Sequence, residues 1–297
     1  MRIDPDLYPF GSNFLEVPGG RLHYLDEGQG PLVVMVHGNP TWSFYFRNLL
    51  LSLRGTHRCI APDHIGCGLS DKPDDADYRY TLERRVDDLE RLLDATAPEG
   101  QVTLVLHDWG GAIGMGWAAR HPQRVERLVL LNTGAFRNPQ QQSIPFALRL
   151  VRDTGLGAVL VRGFNAFSLG AAYLAAKRGL SRRVRKAYTA PYDSWANRIA
   201  TLRFVQDIPL NPEDEAYEQL CRTEAGLENF RETPALICWG AQDFVFDDSF
   251  LDEWRRRLPD AEVHRIEDAG HYVLEDAADE VIGRVETFLS TERTEAQ

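Results

Sequence analysis

A mostly parallel, doubly wound α/β sheet with an inserted all-helical cap is the fold class that this 297-residue sequence predicts. Three observations carry it. From Pro31 to Asn132, short β-branched apolar runs alternate with amphipathic helical stretches, a rhythm that specifies a parallel sheet with helices on its faces. The rhythm stops near Arg137 and resumes at Pro234, and no clear apolar strand interrupts the helical stretches from Arg137 to Leu210. At the centre of the first half, VTLVLHDWGGAIGMGW (Val102 to Trp117) runs from a continuous apolar strand straight into small residues, where a helix must start packed close against that strand.

After a polar start, Arg21 to Leu25 and Pro31 to Val36 read as strands separated by the turn Asp26 to Gly30. The second runs into HGNPTW (His37 to Trp42), which aims backbone N–H groups and the Asn39 side chain at the sheet's carboxyl edge. Phe46 to Leu53 predicts a short helix and His57 to Ala61 a strand. The loop PDHIGCGLSDKP, Pro62 to Pro73, lacks the GxxxxGKS and GxGxxG spacings that cradle phosphate, so it reads as a tight connection. Leu82, Val86, Leu89, Leu92 and Leu93 share one side of a helix over Tyr80 to Ala95. Pro122 closes the helix after the central strand, and Val125 to Asn132 is the next strand. Pro234 to Trp239 and Ala261 to Ile266 complete the sheet, Ala277 to Leu289 is the last helix, and Ser290 to Gln297 is a polar, fraying tail. The expected division is thus residues 1–136 and 216–297 for the two parts of the core, and residues 137–215 for the cap. The cap carries Phe146, Phe164, Phe167, Tyr173, Tyr188, Tyr192, Trp195 and Phe204, which suits an apolar small-molecule pocket.

Composition narrows the function classes. Hydrophobic residues at 43% and charged residues at 26% are those of a globular enzyme. A net charge of −11 argues against a nucleic-acid partner, which needs clustered cations. Four cysteines (Cys59, Cys67, Cys221, Cys238) without CxxC spacing read as reduced thiols of a cytoplasmic protein, and eight histidines in no HxxxH or HExxH pattern imply no metal. The N-terminus shows no apolar h-region, and the apolar runs are too short to span a bilayer. Charge is uneven: residues 137–215 hold 12 Lys or Arg against 6 Asp or Glu, a basic segment on an acidic body. The stretch SRRVRK, Ser181 to Lys186, is a solvated helix face or a docking surface for a partner or a second copy.

The chemistry converges on the central strand. His107, Asp108 and Trp109 sit on a sharp strand-to-helix turn that holds Asp108 above the sheet edge, with the helix N-terminus beneath to stabilise negative charge. Such turns carry small residues on both sides; Gly110 keeps one half, whereas Leu106 departs from the other. Taken alone, Asp108 also fits a helix N-cap. Asp243 in GAQDFVFDD and His271 in DAGHYVLED follow later strands, however, and the order Asp108, Asp243, His271 is the nucleophile, acid, histidine order of α/β-hydrolases.

From Tyr8 to Leu289 the sequence resembles the haloalkane dehalogenase family of α/β-hydrolases, and most closely its third subfamily, which also contains the β-lactone decarboxylases of bacterial long-chain olefin synthesis. The matching motifs are HGNPTW at His37, PDHIGCGLSDKP at Pro62, HDWGG at His107, YDSWANRIATLRFVQDIPL at Tyr192, WGAQDFVF at Trp239 and DAGHYVLED at Asp268. The resemblance implies an α/β-hydrolase fold, Asp108 as nucleophile, His271 as the base for water and Asp243 as the acid that orients it. It implies that Asn39 and the Trp109 indole grip the leaving halide, with their backbone N–H groups as oxyanion hole. Asn132 stands where another branch of the family carries its acid and cannot bear the charge, which selects Asp243 over Asp247 and Asp248. Neither a metal nor an organic cofactor is expected.

Hydrolytic dehalogenation through an alkyl-ester intermediate is the leading expectation. Fragmentation of a β-lactone to alkene and carbon dioxide is the close alternative, favoured by the cap motif from Tyr192 to Leu210 and by the basic cap, which could dock pathway enzymes or form a homo-oligomer. Epoxide hydrolysis comes third: it needs paired cap tyrosines, for which Tyr173, Tyr188, Tyr192 and Tyr217 are available.

Overall fold

The computed structural model describes residues 3–139 and 144–291; most of the tail read as fraying, residues 292–297, lies outside the described residues. One sheet runs in the order β1-β2-β4-β3-β5-β6-β7-β8. Its strands are β1 (Asn13–Val17), β2 (Gly20–Glu27), β3 (Leu32–Val36), β4 (Arg58–Pro62), β5 (Val102–Asp108), β6 (Val125–Thr133), β7 (Ala235–Gly240) and β8 (Glu262–Ile266). Only β1 with β2 and β2 with β4 pair antiparallel. The remaining pairs are parallel. β1 lies within the stretch read as a polar start: of NFLEV only Val17 is buried, so this edge strand gives little apolar signal.

The chain goes from β3 to β4 on one side, then crosses to β5 on the other. Such a reversal opens a crevice at the carboxyl ends of the flanking strands, here between Asn39 after β3 and Asp108 at the end of β5. The helices around the sheet are α1 (Arg47–Leu53), α2 (Leu82–Thr96) and α3 (Trp109–Arg120). The cap helices follow as α4 (Phe146–Asp153), α5 (Gly155–Phe164), α6 (Ala166–Leu174), α7 (Arg182–Thr189) and α8 (Ile199–Gln206). Last come α9 (Tyr217–Gly226), α10 (Asp248–Arg257), α11 (Val273–Asp276) and α12 (Ala278–Ser290). β5 alternates between two cores: Leu104 and Leu106 pack with Val86, Ile113 and Trp254, and Val105 packs with Phe46, Leu50 and Val281. α9 and α10 have no counterpart in the sequence reading. Each buries a narrow stripe, Leu251 and Trp254 in α10, too short to set a helical period by itself.

The basic cap is clamped to the acidic body. Arg203 pairs with Asp75, Arg178 with Asp268, Arg183 with Asp4 and Arg137 with Glu224. Such exposed pairs are each worth little. Two buried joints hold more firmly: the Tyr188 hydroxyl donates to Glu275 at 2.5 Å while Arg47 Nη2 reaches the same carboxylate at 2.9 Å, and Arg85 meets Asp207 at 3.0 Å. Part of the charge asymmetry is therefore spent inside the molecule, between cap and core.

The turn after β5 is strained. Asp108 has φ 53 and ψ −127, a conformation that L-residues rarely adopt, and α3 begins at the next residue. The surrounding glycines allow it. A Cβ on Gly110 would lie 1.9 Å from the Val36 carbonyl oxygen, and one on Gly111 2.0 Å from Thr133 Oγ1. Thr133 Oγ1 in turn donates to the Asp108 carbonyl at 2.5 Å. The departure at Leu106 is resolved one helical turn away, because a Cβ on Gly114 would sit 2.4 Å from Leu106 Cδ2. Gly114 supplies the space that a small residue before the turn usually leaves. Gly114→Ala is expected to cost roughly 1–3 kcal/mol by overpacking. Adding Leu106→Ala should recover part of that loss in urea unfolding, while leaving Gly110→Ala, which meets backbone, unrelieved.

Candidate active site

The carboxyl edge of the sheet brings together Asn39, Asp108, Trp109, Asp243 and His271. Asp108, buried at 6% exposure, accepts the Asn39 backbone N–H on Oδ1 at 2.6 Å, and its Oδ2 lies 3.5 Å from His271 Nε2. His271 Nδ1 meets Asp243 Oδ2 at 2.7 Å. Asp243 is fixed in turn by the Val245 N–H at 2.7 Å and by Asn132 Nδ2 at 3.0 Å. Asn132 is itself locked to Gly240, donating to its carbonyl at 3.1 Å and accepting its N–H at 2.7 Å. The end of β6 thus carries a neutral donor that positions the acid on the loop after β7.

Two further residues shape the site without having been singled out from the sequence. His107 Nε2–H donates to the His271 carbonyl at 2.9 Å, and its ring stacks on Tyr45 at 4.1 Å. Phe246 stacks on the His271 imidazole at 5.9 Å, with the planes 15° apart. The place of His107, immediately before Asp108 in the HDWGG motif, is the one sequence signal for it; nothing marks Phe246 apart from its loop.

Electrostatics follow from burial and pairing. Burial opposes charge on His271, but the flanking Asp243 and Asp108 carboxylates outweigh it and raise its pKa from 6.5 to about 10. Burial likewise pushes the Asp108 pKa up, and the His271 hydrogen bond and charge, with the Asn39 N–H, bring it below the usual carboxylate value. His107, buried and facing His271, is pushed down to about 3 and stays neutral. The Asn39 side chain is held by the cap, its Nδ2 donating to the Thr201 carbonyl at 3.1 Å. A second N–H remains on that nitrogen.

Above these groups lies a cavity of about 710 Å³, with Asn39, Asp108, Trp109 and His271 among its lining residues and largely apolar walls from α4, α6 and the 244–250 loop. Of the cap aromatics picked out above, only Phe167 lines it; Phe244, Phe246 and Phe250 come from the body. None of Tyr173, Tyr188, Tyr192 and Tyr217 reaches it.

Sheet, turn and cavity together define an enzyme of the α/β-hydrolase class. The α/β-hydrolase fold family matches residues 31–278, and the chain belongs to that family. It is 58% identical to a cis-3-alkyl-4-alkyloxetan-2-one decarboxylase of Shewanella oneidensis, over 97% of this chain and 91% of that protein. It is 49% identical to a protein of the same name from Xanthomonas campestris, over 95% and 97%. Haloalkane dehalogenase 2 of Mycobacterium tuberculosis is 32% identical over 95% and 96%. Among solved structures, haloalkane dehalogenase DbeA of Bradyrhizobium elkani superposes with a TM-score of 0.84 at 27% identity, covering 95% of this chain and all of that one.

Because the folded pKa of His271 lies above its ordinary value, its proton stabilises the fold fully below pH 6.5, and that contribution disappears as pH rises towards about 10. Imidazole ¹⁵N NMR should find His271 still charged at pH 8. Asp243→Asn should lower its midpoint by roughly 1–3 pH units.

Proposed function

We propose that this chain is a β-lactone decarboxylase that converts an apolar cis-3,4-dialkyl-oxetan-2-one into a cis-alkene and carbon dioxide. The observation that carries the reading is the step in whole-length identity, from 58% and 49% with relatives named for that reaction to 32% with a haloalkane dehalogenase. That step reverses the order expected from sequence motifs alone, which put carbon–halogen cleavage first. The apolar cavity suits a dialkyl substrate, and the donors around Asp108 suit a carboxylate as well as a halide.

In this reading Asp108 attacks the ring carbon that bears the lactone oxygen. The C–O bond breaks, an ester to Asp108 forms, and the freed substrate carboxylate is received by Asn39 and Trp109. The bond from the neighbouring carbon to that carboxylate then breaks, its electrons form the alkene, and the ester C–O bond returns its pair to Asp108. Inversion in the first step and anti departure in the second leave the alkyl groups cis. No water is consumed. An apolar cavity favours the second step, because a charged carboxylate is lost as neutral carbon dioxide. His271 and Asp243 act before it: the imidazolium holds Asp108 ionised in a buried site.

Carbon–halogen hydrolysis is the second reading, supported by the imidazole beside Asp108. Esterifying Asp108 removes one of the charges that hold the proton on His271, which frees the ring to act as base for water. Epoxide opening loses its motive, since among the described residues no tyrosine lines the cavity to protonate the oxygen.

Purified protein offered a long-chain cis-β-lactone and a panel of bromoalkanes should release alkene and carbon dioxide in excess of bromide, with Asp108→Ala inactive on both. Dominant bromide release would return the chain to the dehalogenases. His271→Gln separates the chemistries further: hydrolytic turnover should fall by about 10²–10⁴-fold, with an alkylated Asp108 visible by mass spectrometry, whereas alkene formation should fall less.

A further inference from the structure

Among the described residues, eight of the eleven exposed large apolar side chains belong to the cap. They concentrate on α5 and α6, with Leu156, Val159 and Phe164 on the first and Leu169, Tyr173 and Leu174 on the second. No single described helix is long and apolar enough to cross a membrane; these two reach that length and composition only when taken together, and they are bent by 75° at the break between them. Their inner faces bury Val161 and Ala172, so both are apolar on two sides. Two consecutive helices that each expose three large apolar side chains mark a surface with an occupant.

Two observations say what that occupant is. First, the patch has a cationic rim. Arg149, Lys177, Arg182 and Lys186 make no ion pair among the described residues, in contrast to Arg137, Arg178, Arg183 and Arg203, which are clamped to the body. Arg162 and Arg185 lie over the exposed Trp195 and Tyr173 rings at 4.8 and 4.7 Å, with their charges at the edge of the apolar face. The body behind is acidic, so an anionic surface would attract this face and repel the rest. Second, the cavity opens here: Leu174, 63% exposed, and Phe244, 49% exposed, are also cavity-lining residues.

We propose that the cap face formed by α5, α6 and the Trp195 edge is an interfacial docking surface for an anionic phospholipid bilayer, seated so that the cavity mouth meets the lipid. Apolar side chains enter the acyl boundary while the arginines and lysines stay with the phosphates, the arrangement of proteins that lie on a membrane. An alkyl substrate dissolved in lipid would then enter the cavity without crossing water. The inference goes beyond the proposed reaction, and its test reads binding, so the two fail independently.

The 297-residue chain is floated with extruded vesicles of phosphatidylcholine alone and of phosphatidylcholine with phosphatidylglycerol. The bound fraction is expected to be about tenfold higher on the anionic vesicles and to fall with salt. Phe164→Ser with Leu169→Ser, and separately Arg149→Glu with Lys186→Glu, should each reduce it by about as much. None of the four residues lines the cavity, so turnover of a short, water-soluble substrate should be unchanged and reports folding. Wild-type protein that stays unbound, equal binding to both vesicles, or variants that bind like wild type would each overturn the proposal. A dimer in sedimentation velocity that Phe164→Ser with Leu169→Ser dissolves, without vesicle binding, would assign the face to a second copy instead.

Discussion

An ionised carboxylate buried on a strained turn is the constraint on which this structure depends. Asp108 sits at positive φ at the end of the central strand, where burial opposes its charge. Three things hold the charge: the Asn39 N–H, the His271 imidazolium, and the N-terminus of α3. Each depends on a different part of the chain. The Asn39 N–H requires β3 beside β5, hence the crossover that makes β3 the neighbour of both β4 and β5. The start of α3 against the sheet requires glycine at 110, 111 and 114.

The second carboxylate follows from the first. An imidazolium between two carboxylates leaves the cluster with one net negative charge, and a third acid there would be repelled. Asn132 meets that condition: it occupies the end of β6, donates to Asp243 and adds no charge. The acid can therefore reside on the loop after β7 without competition. His107 shows the same economy of charge, because its depressed pKa keeps it a neutral donor to the His271 backbone.

Much of this was legible in the sequence because it is local. Strands buried on both faces read as continuous apolar runs, and the turn at Asp108 is marked by its glycines. Asp243 and His271 each follow a strand directly, so the topology carries them to one edge. What was not legible depends on partners remote in sequence. The compensation of Leu106 by Gly114 requires knowing which way Leu106 points. The Asn39 amide is oriented by the Thr201 carbonyl, 162 residues away. Which cap aromatics face the cavity and which pack the cap onto the body was not legible for the same reason: Tyr188 serves a buried joint with Glu275, and Phe244, Phe246 and Phe250 on the body take part of the wall. The basic cap posed a similar ambiguity, because which of its arginines meet body carboxylates depends on residues far away in the chain.

On either proposed reading the same four residues around Asp108, namely Asn39, Trp109, Asp243 and His271, serve the reaction, and the substrate decides which one. A haloalkane leaves an ester with no internal exit, so water and a basic His271 must finish the cycle. A β-lactone leaves an ester that carries its own departing carboxylate one carbon away, and the cycle closes as soon as carbon dioxide is lost. On the proposed reading, then, the imidazole that a dehalogenase needs as a base is needed here chiefly as a cation, and a pKa near 10 suits the cation better than the base. Selection between the two chemistries passes from the catalytic groups to whatever controls access, namely the cavity walls and the cap. On that reading a site that consumes no water gains from an entrance that faces none, and the proposed seating of the apolar cap face on lipid would then serve the chemistry itself.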